Sequence, residues 1–128
     1  MKKSSIGFTL IEIMIAIAIV AILAAIAVPN YTTYITQSRR NEAQTNLLSI
    51  QAEYEQYFAQ NNAYPTSNTL PGGGAIPSTT YYKYSSTTTT TTYTLTAQAT
   101  GSQANDTQCA TMTINNTGLE SPSACWPQ

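Results

Sequence analysis

The sequence predicts an α+β fold in which one long N-terminal helix packs on a small antiparallel sheet of three to four strands, closed by a C-terminal disulfide. Residues 13–28 form an apolar run without a single polar side chain, and residues 30–61 continue without Gly or Pro. After a loop that contains both Gly and Pro, the last third of the chain alternates apolar and polar residues with the period of a β-strand. The helix is therefore predicted to have an apolar, membrane-spanning first half and an amphipathic second half.

The first half of this helix has the length of a membrane span. Residues 8–28 would extend about 31 Å as a helix, which matches the hydrocarbon thickness of a bilayer. Lys2 and Lys3 precede the span and favour a cytoplasmic N-terminus, so the rest of the chain is expected to face outward. Glu12 lies near the edge of the span, where burial of a carboxylate costs several kcal/mol unless a partner neutralises it.

The segment Gly-Phe-Thr-Leu-Ile-Glu at residues 7–12 resembles the prepilin cleavage motif of the type IV pilin family, and the resemblance continues to Pro29 and into the helix beyond. It implies that a membrane-bound prepilin peptidase cuts between Gly7 and Phe8 and methylates the new amino group of Phe8. The chain then divides into a leader at 1–7, a transmembrane and filament-core segment at 8–29 and a globular head at 30–128. An ordinary secretory signal, cut near residues 24–27, is the alternative.

Cleavage in front of the span would create an α-amino cation at Phe8 that can pair with Glu12. Within one subunit the two groups lie four residues apart, which is within reach on a helix. Between subunits, a Glu12 without a partner would attract the Phe8 amine of an incoming subunit, and in low dielectric this attraction selects the axial register. The resemblance assigns this assembly role to the carboxylate. The alternative is a plain single-span anchor whose Glu12 reaches to the membrane surface.

Pro29 lacks an N–H group and cannot bond the carbonyl of Ala25, so we expect the helix to break, kink or loosen there. Alternatively, Pro29 only marks the membrane boundary. Beyond it, an apolar face is predicted from residues spaced by three and four: Ala43, Leu47, Ile50, Tyr54 and Tyr57. The charged residues of this half lie on other faces and are expected to be mostly solvated or intersubunit: Arg39, Arg40, Glu42, Glu53 and Glu55.

The helix is expected to end near Asn61 and Asn62, because Asn tolerates a left-handed cap and Pro65 disfavours helix at Tyr64. A loop at 66–77 follows, and then strands are predicted over 81–84, 93–99 and 110–114. The threonine run at 87–92 is either a continuation of the first strand or a hairpin tip. Residues 115–118 predict a turn, after which the tail returns to the sheet.

Two cysteines, Cys109 and Cys125, occur in a short domain with the composition of a secreted protein, which predicts one disulfide. A metal site is the competing interpretation, but without His its ligand set is incomplete. The pairing is similar to the disulfide-bounded C-terminal region of pilins. Thr-Gly followed by Cys-Trp also resembles the small minor-pilin group that includes the competence pilins.

No catalytic site is predicted. The chain contains no His, the cysteines are expected in a disulfide, and the acidic residues are scattered. Glu53 and Glu55 lie two positions apart on a helix and face different directions, which argues against an acid/base pair. Asn105, Asp106 and Asn115 offer oxygens without the spacing of a calcium loop. We therefore expect neither an enzyme nor a bound cofactor or metal.

The resemblance implies a structural subunit of a bacterial type IV pilus, used for adhesion, twitching motility or DNA uptake. Its expected partners are other pilin subunits, prepilin peptidase and the inner-membrane assembly machinery, and it would move from the inner membrane to an extracellular filament. One alternative is a DNA-binding competence pilin, which is disfavoured because the chain without its leader carries three basic and six acidic residues, a net charge of −3. The other is a type II secretion pseudopilin, whose major member usually has a calcium loop in place of the disulfide.

Overall fold

The computed structural model describes residues 7–126 and confirms the α+β fold. One helix, α1, covers Leu10–Asn61, and four strands follow: β1 at Tyr82–Thr88, β2 at Tyr93–Ala99, β3 at Thr111–Asn115 and β4 at Glu120–Ser121. Short 3-10 helices lie at Gly101–Asn105 and Ser123–Cys125. The chain divides into two compact units, Met1–Ile35 and Thr36–Gln128, so α1 contributes to both.

The predicted helix break at Pro29 is not seen in the single chain, because α1 runs through this residue without interruption. Three side chains next to the proline donate hydrogen bonds to backbone carbonyls of the helix. Asn30 Nδ2 donates to the Ile26 carbonyl at 3.1 Å, and the hydroxyls of Thr32 and Thr33 donate to the Pro29 carbonyl at 2.8 and 3.1 Å. A kink or local loosening of the helix at Pro29 stays a prediction.

The end of α1 follows the prediction from its asparagines. Asn62 has a φ of 52°, and its N–H donates to the Phe58 carbonyl at 2.8 Å, which satisfies one of the last free carbonyls of the helix. The chain then leaves the helix at Tyr64 and Pro65, where proline disfavours further helical geometry.

The sheet is a meander in the order β1-β2-β3-β4, with each neighbouring pair antiparallel. The threonine run resolves into both predicted alternatives, since Thr87 and Thr88 extend β1 and residues 89–92 form the hairpin turn. In that turn the Thr89 N–H donates to the Thr92 carbonyl at 2.8 Å. The fourth strand, only two residues long, pairs the returning tail with β3.

The core of the second unit lies between α1 and one face of the sheet. The helix buries Ala43, Leu47, Ile50 and Tyr54, which confirms most of the predicted apolar face. Tyr57 is the exception because it is only half-buried, while its neighbour Phe58 packs against the core. From the strands, alternate residues point into the same core: Tyr82, Tyr84, Tyr93, Leu95, Ala97, Met112 and Ile114.

Three tyrosines and one carboxylate form a cluster at the end of this core. The rings of Tyr54 and Tyr64 lie 5.2 and 4.8 Å from the ring of Tyr93. The hydroxyls of Tyr93 and Tyr64 both donate to Glu55 Oε1, at 2.7 and 3.0 Å. Burial raises the pKa of Tyr93 and of Tyr64 above the ordinary value of 10.0, and the Glu55 carboxylate raises both further. Glu55 is exposed, in line with the expectation of a solvated or intersubunit position, and its oxygens also accept these hydroxyls.

The predicted disulfide is present between Cys109 and Cys125, which are separated by 16 positions. Both cysteines are buried, and the bond holds the C-terminal tail against the segment that leads into β3. The tail is also held from the helix side, because Gln44 Nε2 donates to the Cys125 carbonyl. Trp126, next to the disulfide, belongs to the same core.

The tyrosine cluster makes the stability of the head sensitive to alkaline pH. The pKa of Tyr93 and of Tyr64 is higher in the folded chain than in the unfolded chain. The contribution of this difference to the free energy of unfolding is therefore complete below about pH 10 and is lost as the pH rises through the folded-state pKa values. The loss is up to about 1.4 kcal/mol per pH unit for each tyrosine. Urea unfolding of the full chain in detergent micelles between pH 7 and about pH 11.5 should show this decline.

Tyr93→Phe should lower stability at neutral pH, because Glu55 loses a donor, and should make the alkaline decline shallower. Tyr34→Phe is the matched control, since Tyr34 is exposed and lies in the other unit. If the two variants declined in parallel above pH 10, the assignment of the decline to the cluster would be wrong.

Removal of the disulfide should destabilise the head by about 3 kcal/mol, because the bond closes a loop of this size in the unfolded chain. The Cys109→Ala, Cys125→Ala double variant should show a lower urea midpoint, and reductant should lower the midpoint of the unmodified chain. The same reductant should leave the double variant unchanged. An unmodified chain that keeps its midpoint on full reduction would contradict this.

Candidate functional site

The predicted cleavage segment lies ahead of the first helix. Gly7 and Phe8 are outside α1 and exposed, with the Phe8 side chain 80% accessible, while residues 1–6 of the predicted leader lie outside the described residues. A Cβ built on Gly7 meets nothing within 4 Å, and its φ is not in the left-handed region. The fold therefore has no packing requirement for glycine at this position. A requirement for it would come from a molecule that acts on the segment.

Glu12 lies in the first turn of α1, where Thr9 caps the helix. The Glu12 N–H donates to Thr9 Oγ1 at 3.3 Å, and the Ile13 N–H donates to the Thr9 carbonyl at the same distance. Thr9-x-x-Glu12 is the sequence pattern of a capping box, a signal that the resemblance to a cleavage motif obscured. A carboxylate in the first turn also interacts favourably with the positive end of the helix dipole. Thr9 is thus a further residue of this segment, because it fixes where the helix begins relative to Phe8.

The apolar first half of α1 has no cover within the described chain. Its most apolar window has a mean hydropathy of 2.9 with none of it buried, and α1 is long and apolar enough to cross a membrane. Large apolar side chains are exposed along its whole length, including Ile11, Met14, Val20 and Ile26. Soluble monomers rarely expose a contiguous apolar surface of this extent. This segment therefore requires an apolar environment that another molecule or a bilayer supplies.

The basic residues of the head are largely engaged in contacts within it. Arg40 forms a bidentate ion pair with Asp106, in which Nε and Nη2 donate to the two carboxylate oxygens at 2.5 and 2.6 Å. These hydrogen bonds raise the pKa of the Arg40 guanidinium, although partial burial opposes the shift. The Arg39 guanidinium lies 3.7 Å from the centroid of the Tyr81 ring. The expectation of a mostly solvated or intersubunit position is wrong for Arg40, whose side chain is largely buried and paired with Asp106. Arg39 is half-exposed and also contacts the head.

A buried glutamine joins the same region to the helix. Gln103 is 1% exposed, and its Nε2 lies within hydrogen-bond distance of the Tyr82 hydroxyl at 3.1 Å, the Thr36 carbonyl at 3.3 Å and Asp106 Oδ2 at 3.4 Å. Asp106 therefore has a structural role that its position in a polar loop did not indicate. Lys83, by contrast, is exposed on the outer face of β1. Across residues 7–126, no group of three or more His, Cys, Asp or Glu residues is placed to hold a metal ion.

Two family models match the chain in adjoining segments. Residues 2–28 match the prokaryotic N-terminal methylation motif. Residues 29–113 match the type IV minor pilin ComP, DNA uptake sequence receptor. The second match covers the head as far as the first residues of β3, and so includes both arginines, β1 and β2.

Known proteins with similar sequences are type IV pilins. The chain is 45% identical over 58 residues to the type IV major pilin protein PilA of Myxococcus xanthus, which is 45% of this chain and 26% of that protein. It is 35% identical over 100 residues to the type IV major pilin protein PilE1 of Neisseria gonorrhoeae, which is 78% of this chain and 61% of that protein. The chain thus spans less than two thirds of the length of these relatives.

A solved structure of a type IV pilin from Shewanella oneidensis is similar to this fold, with a TM-score of 0.62 and 28% sequence identity. The similarity covers 73% of this chain and 99% of that chain. The likeness thus extends over nearly all of the solved pilin chain.

Proposed function

This chain belongs to the type IV pilin family, and from that premise we propose that it is a structural subunit of a type IV pilus, assembled through its N-terminal helix. The observation that carries the proposal is the uncovered apolar surface of residues 8–28 with Glu12 in its first turn. A bilayer can cover this surface before assembly, and the same segments of other pilin subunits can cover it in a filament core.

Processing would begin at the exposed peptide between Gly7 and Phe8. Prepilin peptidase would remove the leader and methylate the Phe8 amine, which leaves the apolar segment in the mature chain. The new cation would then stand just ahead of the Thr9 cap and one helical turn from Glu12. The location in the inner membrane and the role of the assembly machinery belong to this proposal.

Assembly would exchange the partner of Glu12. In the membrane, the carboxylate can be neutralised by the Phe8 amine of its own subunit, because Phe8 lies directly ahead of the Thr9 cap and Glu12 lies in the first turn of the helix. In the filament, the amine of a neighbouring subunit would take that place, and low dielectric makes an unpaired carboxylate costly. Only the register that pairs the charges is then favourable. The head, stabilised by its own core and disulfide, would be displayed outside for adhesion or twitching motility.

Glu12→Val should leave membrane insertion and leader removal intact while reducing surface filaments by more than tenfold, as expected if an assembly step loses a pairing of several kcal/mol. Sheared filaments and the membrane fraction should be quantified together, with the mass of the N-terminal peptide reporting cleavage and methylation. Normal filament yield from this variant would contradict the pairing role.

Two controls separate assembly from processing. Gly7→Val should accumulate the uncut chain in the membrane, because the added side chain is tolerated by the fold but not expected to be tolerated by the peptidase. Glu42→Gln removes an exposed carboxylate from the head portion of α1 and should leave both processing and filaments unchanged.

A second function, DNA uptake, is favoured by the match of residues 29–113 to the minor pilin described as a DNA uptake sequence receptor. The charge distribution opposes it. Phosphate contacts dominate DNA affinity, Arg40 is committed to Asp106, and Arg39 and Lys83 are the other two basic residues of the described head.

We expect no retardation of duplex DNA by the full chain in micelles at physiological salt. If retardation is observed, and Arg39→Ala and Lys83→Ala each reduce the slope of log K against log salt by about 0.9, DNA binding is established and the order of the two functions is reversed. Glu42→Gln is again the control, because it makes the net charge less negative without removing a cation.

A further inference from the structure

A groove of about 340 Å³ lies at the C-terminal end of α1, away from the residues of both proposed functions. One wall is formed by the last turns of the helix, and the other by the glycine-containing loop. That loop is a tight turn closed by a bridge between Thr69 and Ala75. Within it, the Leu70 N–H donates to the Gly74 carbonyl at 2.7 Å, so the wall has a defined backbone shape.

The side chains of the groove are rich in hydrogen-bonding groups. Gln56, Gln60 and Asn61 contribute amides, which both donate and accept, and Glu53 contributes a carboxylate. All four are exposed. Asn61 Nδ2 donates to the Tyr57 carbonyl at 2.9 Å, which leaves its oxygen and the polar ends of the other three side chains for a ligand. Tyr57, half-buried beside them, adds an aromatic surface.

The electrostatics of the groove exclude an anionic ligand. The one ion pair within residues 7–126 joins Arg40 and Asp106, so no described cation neutralises Glu53. The last turn of α1 contains no basic residue, and the C-terminal end of a helix carries a negative partial charge. A phosphate or carboxylate would therefore be repelled.

We propose that this groove binds a pyranose sugar. Sugar hydroxyls are simultaneous donors and acceptors, as the three amides are, and they can donate to the Glu53 carboxylate. The Tyr57 ring offers an apolar surface for the C–H face of the sugar. The volume is at the lower end for small-molecule sites, which suits one sugar ring. The same charges would attract an ammonium ligand, but an ammonium group cannot accept from the three amide donors, whereas sugar hydroxyls both donate and accept.

The proposal does not depend on pilus assembly and is tested on the full chain in solution. Isotope-labelled protein in micelles of a detergent without a sugar headgroup would be titrated with the methyl glycosides of glucose, galactose and N-acetylglucosamine. We expect saturable shifts of the side-chain amide signals of Gln56, Gln60 and Asn61 with at least one glycoside at millimolar concentration. Glu53→Gln should weaken that binding about tenfold, because a hydrogen bond to a charged acceptor is replaced by a weaker one to a neutral amide oxygen.

Glu42→Gln is the matched control, since it removes an exposed carboxylate from the same helix outside the groove and should leave the affinity unchanged. Spermidine is titrated in parallel as a cationic probe. The proposal is overturned if no glycoside gives saturable shifts, if both variants bind the glycoside equally, or if only spermidine binds.

Discussion

The first constraint on this protein is that the apolar surface of residues 8–28 has no cover within the described chain. Burial of apolar area is the main favourable term in folding. Here a large share of the apolar surface is left for contacts with a bilayer or with other subunits and does not stabilise the head. The head must fold by burying only the apolar residues of the rest of the chain. Small domains bury a smaller fraction of their surface than large ones, so they depend on additional stabilisation. This explains why a disulfide and a network of side-chain hydrogen bonds accompany so small a core.

The core itself is built from tyrosines to an unusual degree. Tyr54, Tyr64, Tyr82, Tyr84 and Tyr93 are all buried, and each ring contributes a large apolar area together with a hydroxyl that needs a partner. The partners are supplied by polar side chains at the edges: Ser86 for Tyr54, Glu55 for Tyr64 and Tyr93, Gln103 for Tyr82 and Asn46 for Tyr84. These hydrogen bonds thus fix the packing of the helix on the sheet in a chain that has few charged residues. Burial of a hydroxyl without its partner would cost about 1–3 kcal/mol, so each pair also selects one packing of helix on sheet.

The sequence alone predicted the secondary-structure elements that depend on residues close together in the chain. Periodicity located α1 and the three longer strands, and the asparagines near residue 61 located the end of the helix. It did not predict side-chain contacts between residues that are distant in the sequence and that only the fold brings together. Arg40 and Asp106 lie 66 positions apart, and nothing in the polar loop around Asp106 distinguishes it from a solvated acid. The acceptor role of Glu55 was missed for a related reason, since the hydroxyls of Tyr64 and Tyr93 come from residues 9 and 38 positions away. The Thr9 cap, in contrast, was present as a pattern and could have been found.

The position of Thr9 has a consequence for the charge balance of the N-terminal segment. Because Thr9 caps the helix, a cut between Gly7 and Phe8 places the new amine immediately before the positive end of the helix dipole. That placement is unfavourable for a cation, and Glu12, in the first turn, offsets it. The amine and the carboxylate are then neutral as a pair whether the partner belongs to the same subunit or to a neighbour. When the amine of a neighbouring subunit replaces the subunit's own amine, the net charge in the apolar environment does not change. If one amine replaces the other directly, transfer from membrane to filament leaves no carboxylate unpaired. The same carboxylate that is costly in a simple anchor is therefore consistent with a segment that moves between two apolar environments.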